Sequence, residues 1–235
     1  MNIPSENLST AKRISHVEPL TTLDEKILGP HTAVIVIDVQ NDFCDDRGCM
    51  AKEGFDVTDA QEMAARLPPF LATARAAGAL VVFVRNVYST DQNYYLSDVW
   101  LEQAARARAG SYPKTPVCAD GSWEGDYYGD VRPEPDDARV IKHRFNAFLN
   151  TDLDTILRAN GIRTLVMTGV ATNVCVESTA RDGFMRDYYV VFSSDGTATY
   201  SRQDHDATLR NIDRYFGEVH TLSELETIWM SNEKR

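Results

Sequence analysis

The sequence predicts one α/β domain of three layers, in which helices cover both faces of an open, mostly parallel β-sheet. Short runs of consecutive β-branched and apolar residues recur along the chain, a pattern typical of strands buried on both faces. Amphipathic segments of helical length separate these runs, and such alternation favours parallel strands joined by helical crossovers. The 235 residues are 43% hydrophobic and 25% charged, which suits one globular domain with a large core.

The predicted strands are short runs rich in apolar residues. The first begins at Ala33 with AVIVIDV, and its apolar run is broken by Asp38. The later strands are ALVVFVRN at 79–86, ARVIK at 138–142, RTLVMTGV at 163–170 and YYVVFSSD at 188–195. The first strand carries Asp38 at its carboxyl end, and the third ends in Lys142.

The predicted helices lie between these strands. Pro69 is expected to open a helix that stops at Gly78, because proline suits a first helical turn. A helix at 151–161 begins with Thr151 and Asp154, which resemble a capping box. Two further helices follow later strands, TNVCVESTARDGFMRDY at 172–188 and RQDHDATLRNIDRYFG at 202–217.

Two segments depart from this alternation. Residues 1–30 show no helical or strand period and read as an arm packed on the surface or on a partner subunit, which leaves 31–235 as the single domain. Within it, residues 89–130 form a long irregular insertion, and such insertions are usually lids or interfaces. Its aromatic residues include Tyr94, Tyr95, Trp100, Tyr112, Trp123, Tyr127 and Tyr128.

Composition and charge exclude several classes of function. The net charge is −11, and no block of Lys and Arg could follow a phosphate backbone, so nucleic-acid binding is not expected. No apolar run reaches membrane-spanning length and the N-terminus has no apolar signal core. We therefore expect a soluble, cytoplasmic protein without a membrane partner.

The four cysteines, Cys44, Cys49, Cys118 and Cys175, show neither a CxxC pair nor the spacing of a zinc site. In a reducing compartment they are expected to be free thiols. A redox pair of Cys44 with Cys49 is the weaker alternative.

Three reactive side chains are expected at the carboxyl ends of the strands, where doubly wound sheets bind ligands. They are Asp38, Lys142 and Cys175, the last in the first turn of a helix. A helix N-terminus and a nearby ammonium both favour a thiolate, whereas burial favours a neutral Asp38 and the ammonium opposes that. Each residue alone has an ordinary structural explanation, and only their convergence at one sheet edge favours a catalytic site.

Three segments resemble the isochorismatase-like cysteine hydrolases: VIDVQNDF at 36–43, IKHRFNAFLNTDLDTIL at 141–157 and GIRTLVMTGVATNVCVESTARDGF at 161–184. The resemblance implies a triad of Asp38, Lys142 and Cys175. It also implies a non-proline cis peptide between Val170 and Ala171, and an oxyanion hole formed by the backbone N–H groups of Ala171 and Cys175. A homo-oligomer is the assembly that this family suggests.

Within that family the chain looks most like the ureidoacrylate amidohydrolases, on GVATNVCVEST with RDGF, on DGSW at 120–123 and on FLNTDLDTIL. The implied function is hydrolysis of a C–N bond in a small ureido or carbamoyl amide, through a covalent thioester and with release of ammonia or carbamate. Biuret, triuret and N-carbamoyl amino acid hydrolases remain alternatives, and a non-enzymatic binding protein or a thiol oxidoreductase are alternatives of other classes.

The resemblance also bears on metals and on the substrate pocket. Nicotinamidases of the family carry a metal-binding Asp-x-His with a further His, but this chain has no histidine between Ile35 and Ile141. No metal and no cofactor are therefore expected. Candidate substrate-binding residues are Gln40, Asn86, Tyr88, Arg144 and Phe145, with Arg144 able either to bind a carboxylate or to form a structural ion pair.

Overall fold

The computed structural model describes residues 18–88, 94–107 and 117–232. Most of the predicted arm, at 1–17, and two stretches of the predicted insertion, at 89–93 and 108–116 with Tyr112, lie outside the described residues.

Six parallel strands form one sheet in the described part of the chain, in the order β3, β2, β1, β4, β5, β6. The strands are β1 (Thr32–Ile37), β2 (Leu80–Asn86), β3 (Ala138–Lys142), β4 (Thr164–Val170), β5 (Tyr189–Ala198) and β6 (Glu218–His220). The predicted parallel α/β sheet is confirmed, while the short strand β6 has no counterpart in the prediction. The winding direction reverses between β1 and β4, and the crevice at such a switch point is where open α/β sheets bind ligands.

The helices begin and end as follows: α1 (Leu23–Lys26), α2 (Asn41–Cys44), α3 (Cys49–Lys52), α4 (Thr58–Ala76), α5 (Asp98–Ala107), α6 (Leu153–Ala159), α7 (Glu177–Met185), α8 (Arg202–Tyr215) and α9 (Leu222–Asn232). A 3₁₀ turn occupies Gly29–His31 and a π-helical turn Thr172–Val176. Within the three described stretches, no helix combines the length and the apolar character that crossing a membrane requires.

Two hydrophobic clusters cover the two faces of the sheet. Every residue of β1 is buried, and successive side chains point to opposite faces. Val34 and Val36 pack with α4 and α9, as at Trp229, whereas Ile35 and Ile37 pack with α6, α7 and α8, as at Ile212. Burying one such aliphatic side chain contributes about 1.5–3 kcal/mol, so both layers stabilise the central strands.

Helix α4 begins at Thr58, eleven residues before the predicted start at Pro69, and Pro68 and Pro69 lie inside it. Prolines lack the N–H that a helix interior uses, which is why the sequence pattern predicted a helix start there. The buried face of the preceding turns, which includes Met63 and Leu67, packs on the sheet and keeps the chain helical through the prolines.

Two smaller differences concern helix ends and the arm. The capping box predicted at Thr151 is absent: helix α6 begins at Leu153, and the Thr151 hydroxyl donates to the carbonyl of Ala147. At the other end of the chain, Ile27 is fully buried and its carbonyl accepts a hydrogen bond from the Trp229 indole. The last residues of the predicted arm therefore pack into the domain.

Gly169, near the end of β4, provides a test of the close packing between β4 and β1. Its φ is +107°, and a Cβ there would lie 2.0 Å from the carbonyl oxygen of Ile37. We expect Gly169→Ala to lower the free energy of unfolding by about 3 kcal/mol or more, through strain and displacement of β1. The measurement is urea unfolding. Gly161→Ala is the control, because Gly161 also has positive φ but no neighbouring atom within 4 Å; an equal loss in both variants would contradict the close approach.

Candidate active site

The candidate site lies at the carboxyl edge of the sheet, at the switch point. Ile37, the last residue of β1, pairs with Val84 on one side and with Gly169 on the other. Asp38 follows immediately, Lys142 ends β3, and the chain after β4 enters the π-helical turn that carries Cys175. The topology thus brings three sequence-distant residues to one edge.

The three side chains are in contact. The Lys142 ammonium lies 2.7 Å from Oδ2 of Asp38 and 3.5 Å from Sγ of Cys175. It also donates to the carbonyl of Arg144 at 3.0 Å, so three partners match its three N–H groups. Lys142 is 0% and Asp38 1% exposed. The trio is an ion pair beside a thiol, held away from bulk water.

The backbone of Asp38 is in the left-handed region, with φ of +53°, which aspartate tolerates better than most residues. Its N–H donates to the carbonyl of Val84, which extends the pairing of β1 with β2 by one residue. This turn directs the carboxylate towards Lys142 rather than along the strand.

The Cys175 turn differs from the predicted α-helical start. Residues Thr172–Val176 are π-helical, and the N–H of Val176 donates to the carbonyl of Ala171 at 3.2 Å. Such wide turns occur frequently at functional sites. The peptide bond between Val170 and Ala171 is cis, at the position that the resemblance implied.

Burial decides the protonation of the thiol. It raises the pKa of Cys175 to about 12; the Lys142 ammonium lowers it and the Asp38 carboxylate raises it further. The expectation of a lowered thiol pKa is therefore wrong for the resting site, because desolvation outweighs the ammonium. Cys175 rests as a neutral thiol.

The carboxylate and the ammonium next to the thiol form a mutually dependent pair. Burial raises the pKa of Asp38, while Lys142 opposes that shift. Burial is the largest single influence on Lys142 and lowers its pKa, but Asp38 and Cys175, through charge and hydrogen bonding, together outweigh burial and the pKa lies above its usual value. The resting site thus holds a carboxylate of increased basicity next to a neutral thiol. The Asp38 carboxylate can therefore act as the base that accepts the thiol proton.

Cys175 and Asp38 open onto a cavity of about 200 Å³. Ala171, Tyr88 and Phe145, also predicted from the sequence, line it. The remaining lining residues are Phe43, Met50, Phe55, Val170, Asn173, Val174, Thr199, Tyr200, Ser201 and Asp204. The walls are largely apolar, and the cavity has room for a small molecule only.

Three predicted substrate-binding residues do not line this cavity. The Gln40 side chain is fully buried, donates to the carbonyls of Asn86 and Gly125 and accepts from the N–H of Asn86. These hydrogen bonds of the Gln40 side chain connect the end of β2 to the loop after β1. Arg144 donates to the carbonyls of Tyr95 and His143, and its guanidinium lies over the Trp100 ring.

Asn86 is the third of these residues, and its surroundings differ from those of Gln40. It is fully buried and pairs in register with Lys142. Neither polar atom of its side chain has a hydrogen-bond partner within the described stretches. A buried amide without a partner costs about 1–3 kcal/mol of stability, and Asn86 does not line the cavity that Cys175 faces.

The cavity walls that the sequence did not predict come from separate segments. Phe55 contacts the Tyr200 ring, with centroids 5.4 Å apart, and the Tyr200 hydroxyl donates to the carbonyl of Phe43. These side chains carry no sequence pattern that points to a pocket. Ser201 does carry one: its side chain caps α8 by accepting from the N–H of Asp204, and this helix start could have been recognised.

In the described stretches, no group of three or more His, Cys, Asp or Glu side chains is arranged to hold a metal ion. All four cysteines are buried and none is in a disulfide, so Cys44 and Cys49 are not bonded to each other.

The chain is similar to a known protein family along most of its length. A family model described as the isochorismatase domain matches residues 32–224. The ureidoacrylate amidohydrolase RutB of Caulobacter vibrioides is 37% identical over 203 residues, which cover 83% of this chain and 89% of that protein. The protein of the same name from Methylobacterium radiotolerans is 39% identical, covering 83% of this chain and 78% of its own. A cysteine hydrolase structure from Pseudomonas syringae pv. phaseolicola has a TM-score of 0.75 at 30% identity, covering 88% of this chain and 95% of that one.

The match of the family model and the identity to these relatives confirm the resemblance found in the sequence. The chain therefore belongs to the isochorismatase family and is a hydrolase that acts on amide C–N bonds.

Proposed function

We propose that this enzyme hydrolyses the C–N bond of a small ureido or carbamoyl compound through a carbamoyl thioester on Cys175. The observation that carries the proposal is the buried trio at the cavity: a neutral thiol 3.5 Å from an ammonium that lies 2.7 Å from a carboxylate. This arrangement supplies a nucleophile, a base and a fixed positive charge at a site that is shielded from bulk water.

In the first step, the Asp38 carboxylate takes the thiol proton as Sγ attacks the ureido carbonyl carbon. A C–S bond forms, and the carbonyl π electrons move to the oxygen. The backbone N–H groups of Ala171 and Cys175 are the proposed donors to this oxyanion, and one such donor is worth roughly 3–4 kcal/mol of transition-state stabilisation. Lys142 stays protonated and balances the negative charge that moves between Asp38 and the thiolate.

In the second step, protonated Asp38 gives its proton to the departing nitrogen, the C–N bond breaks, and an amine leaves. A carbamoyl thioester remains on Cys175. The Asp38 carboxylate then deprotonates a water as its oxygen attacks the thioester carbonyl. The C–S bond breaks, protonated Asp38 returns the proton to the Cys175 thiolate, and carbamic acid leaves and ionises to carbamate. Carbamate decomposes to carbon dioxide and ammonia.

The first substrate candidate is ureidoacrylate, because the relatives at 37% and 39% identity are ureidoacrylate amidohydrolases.

A neutral carbamoyl compound such as biuret or triuret is the second candidate. Among the described residues, the cavity lining contains no Lys, Arg or His, and Asp204 adds a carboxylate. A substrate carboxylate therefore has no cationic partner in that part of the wall, whereas a neutral amide has Asn173, Thr199 and Ser201.

Ammonia release from a panel of amides tests the proposal. The panel contains ureidoacrylate, biuret, triuret, N-carbamoyl amino acids, nicotinamide and maleamate. We expect turnover of ureido or carbamoyl compounds to exceed that of nicotinamide and maleamate by at least about 100-fold in kcat/KM, since a 2.7 kcal/mol difference in transition-state binding suffices. Preferred hydrolysis of nicotinamide or maleamate, or turnover of no ureido compound, would contradict it.

Activity is expected to survive exhaustive chelation, because the trio already supplies nucleophile, base and charge. Initial rates are compared before and after dialysis against chelator, with residual zinc and iron measured by mass spectrometry. Loss of activity that zinc or iron restores would count decisively against a metal-free mechanism.

We also propose that the enzyme works in the cytoplasm as a homo-oligomer. Exposed apolar side chains support an interface between copies, notably Phe184, Met185 and Tyr215, which are 46%, 68% and 58% exposed. Light scattering on the purified protein tests the assembly, and a monomeric mass at micromolar concentration would contradict it.

A further inference from the structure

His205, in α8, contacts the first residue of the π-helical turn. Its Nδ1 lies 2.9 Å from the Thr172 hydroxyl, and its Nε2 lies 3.1 Å from the carbonyl oxygen of Ser194 in β5. His205 is 8% and Thr172 0% exposed, and neither residue lines the cavity. The imidazole thus connects β5 and α8 to the turn that carries Cys175 without touching the substrate space.

The two contacts determine the tautomer. A carbonyl oxygen only accepts hydrogen bonds, so Nε2 carries the proton, and in a neutral imidazole Nδ1 is then the acceptor for the Thr172 hydroxyl. Burial lowers the pKa of His205, and Arg202 acts in the same direction. The neutral form that accepts from Thr172 is therefore favoured.

Thr172 stands between the two residues whose N–H groups are the proposed oxyanion donors, Ala171 and Cys175. The turn is closed by bonds from the N–H groups of Val174 and Val176 to the carbonyl of Ala171, at 3.0 and 3.2 Å. These bonds shape the turn internally but do not orient it relative to the sheet. The Thr172 hydroxyl connects the turn to His205, which lies outside it. Rotation of the turn would move the N–H groups of Ala171 and Cys175 together.

We propose that His205 is a positioning residue, whose neutral imidazole holds the Thr172 hydroxyl and thereby aims the N–H groups of Ala171 and Cys175 at the developing oxyanion. The inference rests on the proposed chemistry at Cys175. Misplacement of catalytic groups by about 1 Å can cost about 100-fold in rate, so a single buried hydrogen bond at this position affects the chemical step more than substrate binding.

Thr172→Val removes the hydroxyl with little change in shape, and Thr172→Ser retains it. We expect Thr172→Val to lower kcat by about 10–100-fold and to change KM by less than about threefold, whereas Thr172→Ser stays close to the wild type. His205→Leu is expected to behave like Thr172→Val. His205→Asn, whose amide oxygen can take the place of Nδ1, should recover much of the lost kcat.

Alkylation of Cys175 by iodoacetamide, followed by intact mass, separates this role from damage to the thiol, because that reaction forms no oxyanion. Its rate should stay within about twofold of the wild type in Thr172→Val. The double variant Thr172→Val with His205→Leu should lose no more kcat than either single variant, since both remove the same hydrogen bond. His220→Asn is the matched control. The His220 ring lies near the carboxylates of Glu218 and Glu224 and has no described contact with Thr172.

The inference is overturned if Thr172→Val keeps wild-type kcat, if KM rises in place of a fall in kcat, or if alkylation slows in parallel with turnover. If the His205 variants do not fold, as thermal unfolding will show, the two Thr172 variants decide alone. If the wild type turns over none of the ureido compounds, the proposed function is rejected instead. The positioning role is then tested by measuring the kcat of the variants on any other amide that the wild type hydrolyses.

Discussion

Cys175→Ser is expected to lower kcat by about 10³–10⁶-fold, the range seen when a catalytic nucleophile is removed, with the fold and substrate binding retained. A serine hydroxyl is a much weaker acid than a thiol, and the site already holds Cys175 in its neutral form, with the pKa raised to about 12. The Asp38 carboxylate can assist proton removal from sulfur but is too weak a base for an alcohol. Steady-state kinetics and calorimetric binding measure the two effects separately.

Cys49→Ser is the matched control for this substitution. Cys49 is also buried but lies outside the cavity lining, and its thiol donates to Glu53, which a serine hydroxyl can also do. It should keep kcat within about threefold. Intact mass with a slow substrate should show a covalent adduct on the wild type and none on Cys175→Ser. A Cys175→Ser enzyme with near-native turnover would sink the assignment of the nucleophile.

Asp38→Asn is expected to lower kcat by about 10³-fold or more, because an amide neither accepts the thiol proton nor returns it to the leaving nitrogen. Asparagine tolerates the φ of +53° at this position, so the backbone turn is preserved. The Lys142 ammonium loses its counter-charge while fully buried, and removing one partner of a buried ion pair costs about 3–5 kcal/mol. Kinetics and urea unfolding measure both losses.

Asp187→Asn is the control for Asp38→Asn, since Asp187 also has positive φ, at +66°, but is exposed. It should retain both turnover and stability. A pH profile adds a second test: because burial raises the pKa of Asp38, kcat/KM of the wild type should fall on acidification at a pH above the ordinary titration range of a carboxyl group. An active Asp38→Asn enzyme with the wild-type acid limb would show that another group moves the proton.

Several features of the fold and site follow from the sequence by itself. Runs such as AVIVI at 33–37 and ALVVFV at 79–84 are apolar at every position, and only a strand covered on both faces buries all of them. Parallel strands end at one edge, so a charged residue at a strand end and a cysteine just past another predict a shared site before any contact is known. The trio of Asp38, Lys142 and Cys175 was accessible in this way, because each residue is marked by its place relative to a strand.

Other features were decided only by the tertiary structure, because they depend on what surrounds a residue in space. The prolines in α4 predicted a helix start, but packing on the sheet keeps the helix continuous. A helix start and an ammonium predicted a thiolate at Cys175, but burial favours the thiol. Gln40, a substrate-binding candidate by sequence, has its amide bonded to backbone groups of two other segments.

The cavity walls show the same limit most clearly. Phe43, Phe55 and Tyr200 come from separate segments and meet only when those segments fold over the carboxyl edge of the sheet. The local pattern of apolar residues shows where each strand ends, so the positions of the reactive residues at the strand ends can be predicted from the sequence. The shape and polarity of a pocket, and the pKa values within it, depend on desolvation and contact between distant segments, and only the tertiary structure determines these.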